Sequence, residues 1–113
     1  MAKLTETQFK QRYSARSTQL NWLADPCDFE QAKRYLRIIG EWNDFEAENV
    51  IRAFEFVTDY IAHYTVGREY SPVVYLTVRE SEAARLPGIL DDLTSALADE
   101  RHVDGNRIRL WWD

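Results

Sequence analysis

A chain of 113 residues with 45% hydrophobic and 13% aromatic content, four Gly and three Pro has the make-up of one self-folding domain spanning 1–113, far from the polar, Pro-rich composition of disordered chains. Cys27 is the only cysteine, which excludes an intramolecular disulfide and a paired-cysteine zinc site. No stretch approaches the roughly 18 apolar residues of a membrane span, and MAKLTETQFKQRY lacks the apolar core of an export signal, so a cytoplasmic protein with no membrane segment is expected. Net charge is −5, from 14 basic and 19 acidic residues, which weighs against affinity for a phosphate backbone.

Leu4-Thr5-Glu6-Thr7-Gln8-Phe9 reads as a capping box with a hydrophobic staple, Thr5 and Gln8 bonding reciprocally and Leu4 packing on Phe9. A first helix is expected over about 5–24, with a break near Ser17, where Ser14, Ser17, Thr18 and Asn21 compete with the helix backbone. Asp25-Pro26 ends it, and Asp28 with Gln31 caps a second helix to about 42, whose apolar stripe is Phe29, Ala32, Leu36 and Ile39. Asn43 or Asp44 caps a third, expected over about 44–65 and stopped by Gly67. Its wide apolar arc (Phe45, Val50, Ile51, Phe54, Val57, Ile61) indicates packing on more than one side. Its polar strip is Glu48, Arg52, Glu55, Asp59 and His63, with Glu48 and Arg52 at ion-pair spacing.

After Ser71-Pro72 the period falls to 2, and Val73 to Arg79 reads as a strand over about 72–79. Pro87 opens a helix over about 87–100, Asp104-Gly105 is a turn signal, and a second strand follows over about 106–112. The fold class is therefore α+β, three N-terminal helices packed with a strand-helix-strand unit. A helix between two strands suggests a right-handed crossover with the strands parallel. Two strands make a marginal sheet with open edges, so pairing with a copy of the chain, with a partner or with a further strand is expected.

The chemistry-bearing residues have simpler readings. Asp59 and His63 could offer two metal ligands, but a catalytic zinc needs a third, so they read as part of a solvated charge strip. Asp91 and Asp92 complement a helix dipole, and Cys27, although at a helix start where a thiol pKa can fall, reads as a packing residue. Gly40, Gly67, Gly88 and Gly105 match no phosphate-binding loop. No catalytic residue, metal or cofactor is assigned.

Alternation places Val74, Leu76 and Val78 with Ile108, Leu110 and Trp112 on one strand face, which makes it core. The other face carries Tyr75, Arg79, Arg107, Arg109 and Trp111, types enriched at binding hot spots. Unless a helix covers it, this is a partner surface. Glu48, Glu55 and Asp59 offer a second, acidic surface suited to a basic or nucleic-acid-binding protein. The expected function is non-enzymatic protein binding, as an inhibitor, immunity-type or adaptor protein. The alternatives are a nucleic-acid-associated regulator, with bases stacked on Tyr75 or Trp111, and a small enzyme with an unfamiliar site at Asp59 and His63 or at Cys27.

Overall fold

The computed structural model describes residues 4–14 and 21–113. Among these the chain is α+β, with helices α1 (Glu6–Ser14), α2 (Phe29–Ile39), α3 (Ala47–Glu55) and α4 (Leu86–Asp92). The strands are β1 (Asn21–Leu23), β2 (Glu41–Trp42), β3 (Phe45–Glu46), β4 (Ile61–Glu69), β5 (Ser71–Val78), β6 (Glu100–Asp104) and β7 (Arg107–Trp111). Five of them form one antiparallel sheet in the order β1-β4-β5-β7-β6, and β2 and β3 make a small separate hairpin.

The helix starts follow from their caps. Thr5 N–H donates to Gln8 Oε1 at 2.9 Å and Gln8 N–H to Thr5 Oγ1 at 3.1 Å, which closes the capping box. Asp28 Oδ1 accepts from Gln31 N–H at 2.8 Å, and α2 stops at Gly40, whose φ of +75° favours glycine.

The remaining elements correct several expectations. The break expected near Ser17 lies outside the described residues, and Asn21–Leu23, expected to end the first helix, is a strand paired with Glu69 to Gly67. The third helix ends at Glu55, not near 65, and after a 3-10 turn at Thr58–Tyr60 the chain becomes β4. The apolar residues from Ile61 onward serve this interior strand, which bonds to β1 on one side and β5 on the other. Gly67 is accordingly not a helix stop. A Cβ there would lie 2.3 Å from the Trp22 carbonyl oxygen, so glycine is what lets β1 approach β4 this closely.

The helix expected over 87–100 stops at Asp92, continues as a 3-10 turn at Leu93–Ala96, and is terminated by Leu97 at φ +60°. Strand β6 begins at Glu100, the last residue of that expected helix, and the Asp104-Gly105 turn joins it to β7. Strands β5 and β7 are antiparallel neighbours with Tyr75 opposite Arg109, not the parallel pair of a crossover.

The helices and one face of the sheet share a single core cluster, to which the sheet contributes Tyr64, Val66, Val74, Leu76, Val78, Ile108, Leu110 and Trp112. Helix α1 packs on α2, and α2 on α3 and β4. Phe9 stacks on Tyr35 at 4.2 Å, Phe45 meets Trp112 edge-on at 5.0 Å, and the Trp112 indole N–H donates to Ala96 O at 2.9 Å. Trp112, the largest side chain buried, is thus both packed and hydrogen-bonded.

Candidate interaction face

Strand alternation sends every second residue of this sheet away from the helices. On β5 and β7 these are Val73, Tyr75 and Thr77, directly opposite Trp111, Arg109 and Arg107, while β6 adds Glu100, His102 and Asp104 opposite the same three β7 residues. Val73 is fully buried, Tyr75, Thr77, Arg109 and Trp111 are half-buried, and Arg107 and all of β6 are exposed. Helix α1, which could have covered this face, is packed on the other side through Phe9.

The centre of the face is a closed polar network. The Arg109 guanidinium bonds Glu69 Oε1 through Nε at 2.7 Å and Glu100 Oε1 through Nη1 at 3.0 Å. Tyr75 O–H donates to Glu69 Oε2 at 2.8 Å, and the Trp111 indole N–H to the Glu69 backbone oxygen at 2.8 Å. Glu69 therefore holds three side chains from β5 and β7 in fixed positions. Burial and the adjacent Glu69 carboxylate push the Tyr75 phenol up. Burial alone would weaken protonation of Arg109, but its bonds to Glu69 and Glu100 more than offset this, and its pKa is raised. The Arg107 guanidinium lies 4.0 Å above the Tyr75 ring, a cation–π arrangement. Beside it is a hollow of about 510 Å³ bounded by Tyr75, His102, Asp104, Arg107 and Arg109.

Four of the five residues expected on this face are brought together here: Tyr75, Arg107, Arg109 and Trp111. The fifth, Arg79, is exposed just past the end of β5, where its N–H donates to Tyr60 O. The partners that fix the face, Glu69 and Glu100, are not expected from the sequence, because the first half of β4 reads as the end of a helix to about 65 and Glu100 as the last residue of a helix over 87–100, which hides both strands. The signal available was the β-branched and aromatic content of 60–66, which competes with a helical period in the same residues.

The acidic residues do not share one helix face. Glu48 on α3 pairs with Arg37 on α2 at 2.8 Å instead of with Arg52, a bond that lowers the carboxyl pKa and raises that of Arg37. Glu55 ends α3, and Asp59 lies in the 3-10 turn beyond it. His63 is on β4, so the i,i+4 relation to Asp59 does not exist in the fold. Cys27 is buried in a bridge in which its N–H donates to Tyr64 O at 2.8 Å and its carbonyl accepts from Tyr64 N–H at 2.9 Å.

Compared with family models, curated proteins and solved structures, the chain matches none. Among the described residues no helix is long and apolar enough to cross a membrane.

Proposed function

We propose that the chain is a non-enzymatic, cytoplasmic protein-binding module, of the inhibitor, immunity or adaptor kind, that seats a partner protein on the open face of the sheet. The observation that carries this reading is the Glu69 network, which fixes Tyr75, Arg109 and Trp111 on a face where no described helix packs. Side chains already held in place lose little rotamer freedom on association, and Tyr, Trp and Arg supply large contact areas with polar edges.

The same network supports protein over nucleic acid. Arg109 is committed to two carboxylates, and Arg107 occupies one side of the Tyr75 ring, so phosphate capture and base stacking would both require existing contacts to break. Edge pairing with a second copy is also less supported. The β6 edge carries Glu100, Arg101, His102 and Asp104, charges of the kind that resist strand addition. The acidic residues Glu48, Glu55 and Asp59 supply long-range attraction to a basic partner more readily than a docking surface, since they belong to separate elements.

The test is affinity capture with the wild-type chain, Arg107→Ala and a Glu55→Lys, Asp59→Lys double variant in parallel. A specific protein retained by the double variant and lost by Arg107→Ala supports the sheet face. Loss only in the double variant would move the site to the acidic residues. Recovery of nucleic acid at low salt would replace the reading altogether.

A further inference from the structure

On the helix side of the molecule the ends of α1 and α2, the β2–β3 hairpin and the β4–β5 turn enclose a groove of about 310 Å³, within the size range of small-ligand sites. Its walls are Tyr13, Ile38 and Trp42, and Tyr70 stands at the rim. Trp42 and Tyr70 are 44% and 64% exposed. Tyr70, the residue that joins β4 to β5, holds φ at +64°, the left-handed conformation that a tight turn imposes.

Two polar groups in this groove lack the partners their chemistry calls for. Ser71 lines it and is 5% exposed, and among the described residues its hydroxyl has no hydrogen-bond partner, an arrangement buried polar groups normally avoid. Arg68 donates through Nε to Tyr70 O at 3.2 Å and through Nη1 to Tyr13 O at 3.0 Å, with its guanidinium carbon 5.7 Å from the Tyr13 ring centroid. Both acceptors are neutral carbonyls, and Arg68 enters no ion pair among the described residues. Residues 1–3 and 15–20 contain no acidic side chain. The guanidinium of a half-buried arginine is thus left without a carboxylate in a chain that has 19 acidic residues.

We propose that this groove is a binding site for a small aromatic carboxylate, with the ring between Tyr13, Ile38 and Trp42 and the carboxylate accepting from Arg68 and the Ser71 hydroxyl. Aromatic and aliphatic walls with a few convergent polar groups are what such a ligand requires. The site does not rest on the sheet-face reading, because Tyr13, Ile38, Trp42, Arg68 and Ser71 take no part in the bonds of the Glu69 network, although Tyr70 also borders the hollow beside Glu69 and Arg109.

The probe is benzoate, followed by NMR at the Trp42 indole N–H and the Tyr70 amide of the full chain, with benzyl alcohol and acetate as controls. Benzoate should bind in about the millimolar range expected for a ligand of its size, more tightly than either control. Ser71→Ala should weaken benzoate by about 3- to 10-fold, the equivalent of one net hydrogen bond, while leaving the melting temperature unchanged or raised, since it removes an unsatisfied buried hydroxyl. A hydroxyl that served the fold alone would give the opposite pair of results. Absence of resonance shifts up to the solubility limit, equal binding of benzyl alcohol, or unaltered benzoate affinity in Ser71→Ala would each overturn the proposal.

Discussion

Consecutive residues of β7 and its end, Trp111 and Trp112, share a side-chain type and meet opposite surroundings. Trp112 is fully buried against Phe45 and bonds Ala96 O, whereas Trp111 lies half-exposed beside Arg109 and bonds Glu69 O. The covered face is held by apolar contact that excludes water. The open face is held by directed bonds centred on one residue, Glu69, through its carboxylate and its backbone oxygen, and so keeps its polar groups placed while leaving aromatic surface at the solvent boundary. Shape on the first face serves stability, and the fixed chemistry of the second is what the proposed partner surface rests on.

The largest test of this contrast is a pair of substitutions. Trp112→Ala should cost about 3–5 kcal/mol, the range for large-to-small changes in a packed core, and Trp111→Ala about 1–2 kcal/mol for one hydrogen bond and partial burial. Urea midpoints measure both. Equal losses would mean that the open face is also core. Alkaline pH comes next. Burial pushes Tyr13 and Tyr64, both on the helix side, up to about 12. The unfolded phenol ionises near 10, so between 10 and 12 the unfolded chain has lost more protons than the folded one. Stability is therefore intact below pH 10 and falls above it by roughly 1 kcal/mol per pH unit for each tyrosine. Unfolding followed by far-UV circular dichroism checks the onset, and Tyr64→Phe should make it shallower.

The two faces were legible in the sequence because burial alternates over 74–78 and 107–112, with Val73 on the open side buried all the same, and the helix starts because Thr5/Gln8 and Asp28/Gln31 are local signals needing no tertiary contact. The sheet's size was not legible. Residues 61–66 continue the apolar pattern of α3, and Thr65, on the open side, is almost as buried as Tyr64 and Val66, so β4 shows no clean alternation. Strand β6 is entirely exposed and offers no hydrophobic pattern, and β1 has only three residues. Strand direction depended on β6, since adding it turns the inferred crossover into an antiparallel hairpin with β7. The candidate face was readable on β5 and β7 alone. Glu69 at its hub could not be found without the register of β4.

A smaller effect separates the network from the surface around it. Arg109 and Glu69 have 24% and 27% of their side-chain surface exposed, and Arg109→Ala leaves the Glu69 carboxylate with Tyr75 as its remaining side-chain donor on this face. A loss of about 1–2 kcal/mol is expected from a partly buried charge deprived of its partner, measured by denaturant titration. Arg109→Lys should recover less than half of it, because a lysine cannot reproduce the two-directional bonding to Glu69 and Glu100.

The smallest expected change in stability belongs to Arg107, and it bears most directly on recognition. Its guanidinium rests on the Tyr75 ring at 4.0 Å and makes no ion pair among the described residues. An exposed cation–π contact is worth about 0.5–1 kcal/mol, so Arg107→Ala should shift the urea midpoint only slightly. The same substitution uncovers the outer side of Tyr75 and removes a cation from the hollow beside His102 and Asp104. If the face docks a partner, binding should fall at least about tenfold, as at a hot-spot arginine, with folding nearly untouched. A variant that loses stability but still captures the partner would reverse the division of labour between the two faces.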